Sequence, residues 1–372
     1  MRFTQLKFHP DIHSGIDAAG YTAATPIQQK AIPPILERKD VLGLAQTGTG
    51  KTAAFVLPIL QYIVKQSSGR AHDAPKALIM APTRELAEQI QENIRILAAH
   101  TPVKSMAIYG GVGKNPQIKT LRRGVDIIVA CPGRLIDLLN GKVLTLKSVR
   151  TLVLDEADQM LDMGFLPDIK RIIRHLPENR QSLVFSATMP NEIRSLVKTI
   201  LHRPVKVQIN HTIPAPRIHH GRINVQKEKR TTLLKKLFSK NGMTSTLVFT
   251  RTKHKAKSLA FQLKKSGFNA VSLQGNLSQN QRRRAMDGFR NGDFKILVAT
   301  DIAARGIDVS GVSHVINYDL PDTVETYIHR TGRTGRADNT GQAYTFVSAA
   351  DGKMIGMIEK ALGKKMKDQS NL

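Results

Sequence analysis

Tryptophan is absent from this 372-residue chain, cysteine occurs once, and aromatic residues make up only 5%. The lone thiol, Cys131, excludes an internal disulfide, so nothing points to an oxidising compartment. No uncharged apolar run reaches the length that spans a bilayer, and charge and proline interrupt the first twenty residues, so neither a membrane span nor a secretory signal is expected. Low-complexity segments and short tandem repeats are missing too. Acidic residues are scarce: 29 Asp and Glu stand against 56 Lys and Arg, a formal charge of +27. A cytoplasmic protein without membrane attachment is the expectation these absences leave.

With 41% hydrophobic and 23% charged residues, the composition is that of a folded globular chain, long enough for two domains with separate cores. The positive excess is not one detachable tail. Residues 1–216 hold 28 basic and 17 acidic side chains, and residues 217–372 hold 28 and 12. A fold gains nothing from that self-repulsion, and no lone basic amphipathic helix suggests a membrane surface, so nucleic acid is the expected partner.

Short β-branched runs alternate with helical periodicity. Strands are expected at 41–45, 77–81, 105–109, 125–130, 151–154 and 182–185, with helices at 84–98 and 166–176 between some of them. A second series follows: strands near 246–249, 270–273, 295–299, 315–318 and 343–347, and helices at 253–266, 279–290, 323–330 and 353–364. Such alternation predicts α/β architecture, with parallel sheets covered by helices on both faces. The proline-bearing segment 208–216 reads as a linker, and 363–372 as a frayed polar tail.

The first strand runs into Ala45-Gln46-Thr47-Gly48-Thr49-Gly50-Lys51-Thr52 and then a helix, a P-loop with Ala where the usual pattern starts with Gly. Gly48 and Gly50 let backbone N–H groups converge on phosphate oxygens at a helix N-terminus. Lys51 would reach the β- and γ-phosphates and Thr52 would ligate Mg²⁺. Asp155-Glu156-Ala157-Asp158 follows the apolar strand 151–154, where a P-loop NTPase holds its metal. Asp155 is the expected Mg²⁺ ligand, and Glu156 the group that orients the attacking water. A glycine turn before a chance lysine and an acidic helix cap are the competing readings; occurring together in this order, the two motifs speak against both.

The tetrad spells D-E-A-D, and over essentially its whole length the chain resembles the DEAD-box RNA helicases. Leu161-Asp162-Met163-Gly164-Phe165 and Thr250-Arg251-Thr252-Lys253-His254 are similar to the bacterial RhlE-like group. The resemblance implies two tandem RecA-like parallel-sheet domains joined by a short linker: an adenine-reading segment at 1–29, an ATP-binding domain at 30–207, a linker at 208–216, a C-terminal helicase domain at 217–365 and a tail at 366–372. It implies that Gln28, Thr25, Tyr21 and the upstream Phe3 handle adenine, with Thr47, Gly48, Thr49, Gly50, Lys51 and Thr52 on the phosphates. Ala24 stands where a proline is usual.

Ser186-Ala187-Thr188 matches the motif that couples hydrolysis to RNA, with its hydroxyls on Asp158. RNA contacts are implied at Pro82, Thr83 and Arg84, at Gly110 and Gly111, at Pro132, Gly133 and Arg134, and in the second half at Arg251, Gln279, Arg282 and Thr300. Cys131 replaces the Thr usual before Pro132, and Thr331 a common Ile. Asp308 would meet the ribose. In His329-Arg330-Thr331-Gly332-Arg333-Thr334-Gly335-Arg336, the resemblance makes Arg333 and Arg336 arginine fingers and His329 a link toward Asp158 or Thr188.

The implied activity is an ATP-dependent RNA helicase that needs Mg²⁺. Its implied partners are structured or duplex RNA, read largely without regard to sequence, and ribosome-assembly or RNA-decay proteins. A DNA helicase of the same plan and an ATP-gated RNA clamp remain open alternatives; a metabolic P-loop kinase leaves the basic second half unexplained.

Overall fold

The computed structural model describes residues 2–45, 48–66, 74–209, 218–239, 243–304, 312–335 and 340–370, the side chain of Ile302 excepted. The chain divides into two compact units, Met1–Asn210 and His211–Leu372.

In the first unit the strands are β1 (Val41–Leu44), β2 (Ala77–Met80), β3 (Ser105–Ile108), β4 (Ile127–Ala130), β5 (Thr151–Leu154), β6 (Gln181–Ser186) and β7 (Val205–Gln208). They form one parallel sheet in the order β3-β4-β2-β5-β6-β1-β7. Successive residues point to opposite faces, so one strand feeds two cores. Ile79, Val129, Val153, Leu183 and Phe185 join one cluster, while Leu78, Met80, Leu152, Leu154 and Val184 join the other. Strands buried on both faces explain why β2, β4 and β5 read as unbroken apolar runs.

The second unit holds β8 (Ile218–Asn224), β9 (Thr246–Phe249), β10 (Ala270–Leu273), β11 (Ile296–Ala299), β12 (His314–Asn317), β13 (Gly341–Val347) and β14 (Lys367–Asp368). The order is β10-β11-β9-β12-β13-β8-β14, again parallel. Each unit is thus a RecA-like layered α/β body.

Three strands escaped sequence reasoning. β7 is a half-exposed edge strand reading V-K-V-Q, and β8 places only Ile218, Gly221 and Ile223 inward. β14 corrects the expectation of a frayed tail: Lys367 and Asp368 pair with Gly221 and Arg222 of β8, and the adjacent Met366 is buried beside Leu320, Tyr327 and Ile358. Of the expected linker, Gln208 closes β7, Ile209 is described beyond it, and the remainder lies outside the described residues.

Candidate active site

The carboxyl ends of β5, β6 and β1 are neighbours, and each leads into one of the motifs: Asp155-Glu156, Ser186-Ala187-Thr188 and the P-loop. This is the end of a parallel sheet at which ligands of open α/β folds bind. Thr47 lies outside the described residues, but Gly48 and Gly50 are in place with φ of +83° and +91°, the left-handed region that favours glycine. A Cβ on Gly50 would fall 2.6 Å from Gln28 Nε2. That closeness is a hydrogen-bonded contact: Gln28 Nε2 donates to the Gly50 carbonyl at 3.0 Å, and Gln28 Oε1 accepts from the Thr25 N–H at 2.8 Å. The buried amide therefore braces the phosphate loop against the segment before it, leaving one N–H and one lone pair for a base.

Lys51 opens the helix Lys51–Gln66 and is only 6% exposed. Its Nζ lies 3.9 Å from Asp155 Oδ1 and makes no hydrogen bond among the described residues. A buried ammonium with idle donors is costly unless an anion completes it. Asp155 is buried as well. Burial pushes its carboxyl up to about 6, Lys51 opposes the rise, and Glu156 adds to it. Glu156 itself is buried with φ of +53°, a left-handed conformation unusual for a side chain of its size. Among the described residues no three His, Cys, Asp or Glu side chains converge as a self-sufficient metal cage. One carboxylate, the half-buried Thr52 hydroxyl and phosphate oxygens are the kind of donor set Mg²⁺ accepts, so the residues present fit a magnesium nucleotide.

Asp158 Oδ2 accepts from the Thr188 hydroxyl at 3.0 Å and from the N–H groups of Thr188 and Ala187 at 2.8 and 3.1 Å. The Ser186 hydroxyl accepts from the Asp158 N–H at 3.3 Å and donates to the Thr188 carbonyl at 2.8 Å. The two motifs are thereby locked as one object. In the N-terminal segment, Phe3 and Tyr21 stack with centroids 6.0 Å apart and line an open cavity of about 660 Å³.

A second group of residues lines the ends of β3, β4 and β2. Thr83, beyond β2 and Pro82, caps the helix Arg84–Leu97 by accepting from the Leu86 N–H. Arg84 lies against Gly111, where a Cβ would meet its guanidinium at 2.1 Å, and Gly110 faces open space. Pro132 and Gly133 begin the helix Pro132–Asn140, and Arg134 donates to the Val112 carbonyl at 3.1 Å. Three segments distant in sequence are thus stitched together on one edge. The Cys131 thiol among them is pushed up to about 12, chiefly by burial and then by Glu85, so it is neutral.

In the second unit Arg251 is exposed and its N–H donates to Asp319 Oδ2 at 2.9 Å, while Thr300 follows β11. Gln279 begins the helix Gln279–Arg290. Arg282, one turn on, is buried and directs its guanidinium toward the carbonyls of Gln274 and Ala303 rather than to the surface. Arg330 is committed within its own unit: it holds Asp301 with two bonds of 2.6 and 2.7 Å and donates to Asn317 and the Asp319 carbonyl. His329 is half-buried and Arg333 is 9% exposed. Thr331 spends its hydroxyl on the Tyr327 carbonyl, which makes it acceptable in an apolar position. Asp308 and Arg336 lie outside the described residues. Sequence reading missed Asp319, which meets Arg230, Lys255 and the Arg251 N–H; an acidic residue just past a buried strand, as at Asp155, was the available signal.

The sequence matches the profile of the DEAD/DEAH box helicases over residues 25–196 and that of the helicase conserved C-terminal domain over 228–338. It is 44% identical to the DEAD-box ATP-dependent RNA helicase CshA of Streptococcus pneumoniae over 369 residues, which is 99% of this chain and 69% of that one. To CshA of Geobacillus kaustophilus it is 42% identical, covering 98% and 77%. Among solved structures, S. cerevisiae Dbp5 bound to RNA and ADP BeF3 superposes with a TM-score of 0.86 at 33% identity, covering 99% of this chain and 95% of that one. A DEAD box protein from Methanococcus jannaschii gives 0.56 at 38%, covering 99% of both chains. Motifs held at adjacent strand ends, in a chain matched along nearly its whole length by the bacterial CshA helicases, place it in the family of DEAD-box ATP-dependent RNA helicases.

Proposed function

We propose that the chain hydrolyses ATP with Mg²⁺ while gripping RNA, and uses the cycle to separate short duplexes or remodel RNA–protein complexes. The observation that carries this is the buried Lys51 ammonium, without a hydrogen-bond partner among the described residues, beside a carboxyl group that burial has pushed upward. Bound ATP and Mg²⁺ would supply a labile phosphoanhydride and the charge that stabilises its cleavage. Lys51 and the P-loop amides hold phosphate oxygens, with Thr47 and Thr49 on the same loop. Thr52 and Asp155 hold the metal, and Glu156 orients a water and takes its proton at a carboxylate oxygen. Gln28, Tyr21 and Phe3 select adenine, and Asp308 meets the ribose. Arg333 and Arg336 belong to the other unit, so neither unit alone has the full set; binding of nucleotide and binding of RNA then favour each other.

RNA runs over Pro82–Arg84, Gly110-Gly111 and Pro132–Arg134 in one unit and Arg251, Gln279 and Thr300 in the other, with phosphates and 2′-hydroxyls as the groups contacted. Arg282 supports this track from beneath. Asp158, Ser186, Thr188 and His329 couple the two sites. The working parts are an adenine-reading segment at 1–29, an ATP-binding domain at 30–207, a linker at 208–216 and a C-terminal helicase domain that begins at 217 and takes Lys367 and Asp368 into its sheet. The segments Leu161–Phe165 and Thr250–His254 support a place in the RhlE-like group, although the compared bacterial relatives carry the name CshA. Ribosome-assembly or RNA-decay proteins are the partners such an activity calls for. No described helix is long and apolar enough to cross a membrane, which is compatible with a cytoplasmic setting.

Lys51→Ala should abolish ATP-dependent separation of a short RNA duplex while leaving the fold intact by circular dichroism. Undiminished strand separation in that variant would sink the proposal.

A further inference from the structure

Acidic side chains disappear from a long stretch of the second unit: residues 229–286 contain fourteen Lys or Arg and no Asp or Glu. Within it the helix Lys253–Lys265 turns Ala256, Leu259, Ala260 and Leu263 into the core. At 3.6 residues per turn, Lys253, Lys257, Phe261, Lys264 and Lys265 gather within about 120° of arc on the other side. All five are exposed.

Phe261 is 67% exposed, more than any other large apolar side chain among the described residues. Single exposed apolar residues are common. This one stands inside a row of cations that have nothing to neutralise them: none of the four lysines forms an ion pair or a side-chain hydrogen bond among the described residues. Lys255, on the flank of the same helix, shows the contrast. It is held by Asp319 at 2.6 Å and lies 4.9 Å from the Tyr318 ring.

A row of unsatisfied cations around one open aromatic face suits a flexible polyanion whose units can stack. A protein partner of acidic character would satisfy the lysines, but docking by burial needs a broader apolar patch than a single ring among Lys257, Ser258, Gln262, Lys264 and Lys265 offers.

We propose that this helix face is an accessory contact for single-stranded RNA, with the lysines on phosphates and one base stacked on Phe261. It rests on RNA being the partner proposed above. It extends the track from Arg251, two residues before the helix, and Phe261 lies about 12 Å along the axis from Lys253, so only RNA longer than the core footprint engages it.

The absence of tryptophan makes the test direct, because Phe261→Trp introduces the chain's sole indole. In the full chain, a uridine 20-mer should quench that fluorescence, and salt should reverse the quenching. Phe261→Ala should weaken 20-mer binding roughly fivefold or more, leave hexamer binding within about twofold, and leave RNA-free ATP turnover unchanged. Unquenched fluorescence under conditions where the 20-mer still stimulates ATP turnover would overturn the accessory contact and leave the helicase assignment standing. Quenching by polyglutamate as strong as that by RNA would overturn it in favour of an acidic protein partner. Absence of any RNA stimulation together with absence of quenching would remove both proposals.

Discussion

Gln28, proposed to read adenine, also has an architectural part. Its amide accepts from Thr25 and donates to Gly50, so truncation removes two largely buried hydrogen bonds. Gln28→Ala should therefore erase most of the preference for ATP over GTP and also cost about 1–2 kcal/mol of stability. Paired nucleotide-competition and thermal-unfolding measurements check this; a variant that lost selectivity at unchanged stability would show that the brace contributes nothing. Glu156 is a cleaner case, since Glu156→Gln keeps the shape of the side chain. That variant should bind ATP and RNA yet turn over on the order of 100-fold more slowly in a steady-state phosphate-release assay. Normal turnover would remove the water-activating role. The meeting of Lys51 with Asp155 and Glu156 was legible because each lies in a motif of fixed local spacing that follows a buried strand. The brace from Gln28 to Gly50 and the hub at Asp319 were not, because their partners lie 22 to 89 residues away and are brought together only by strand order.

At the level of elements, the apolar strands declared themselves because both faces are buried. β7, β8 and β14 did not, since edge strands need neither an apolar run nor a regular alternation. β8 carries a pH-sensitive contact of its own. His220 Nδ1 lies 2.8 Å from the hydroxyl of Tyr327, and burial first, then Lys364 and His219, lowers its pKa to about 4. A histidine depressed in the folded state contributes stability that is full above its ordinary value near 6.5 and is lost as pH falls toward 4. Unfolding measured from pH 7 to pH 4 should reveal a loss from this site of about 1–3 kcal/mol. His220→Gln, which can still hydrogen-bond Tyr327, should flatten that part of the curve. Identical pH profiles for the two proteins would show that His220 is not the group responsible.

For the whole molecule the governing fact is the +27 charge, spread across both units, and the governing proposal is that each unit supplies part of the nucleotide machinery. Neutralised phosphates release counterions, giving a log–log salt slope of about −0.7 per contact on single strands. A 20-mer that engages six or more cations should therefore show a slope of about −4 or steeper. A slope near −1 would mean that the excess charge is solvated surface with no part in RNA binding. The most direct test of the central claim is ATP turnover measured with and without RNA. RNA should raise turnover several-fold in the intact protein and have little effect once Arg333 is replaced by alanine. Equal turnover with and without RNA in the unaltered chain would contradict the proposed coupling of the two sites.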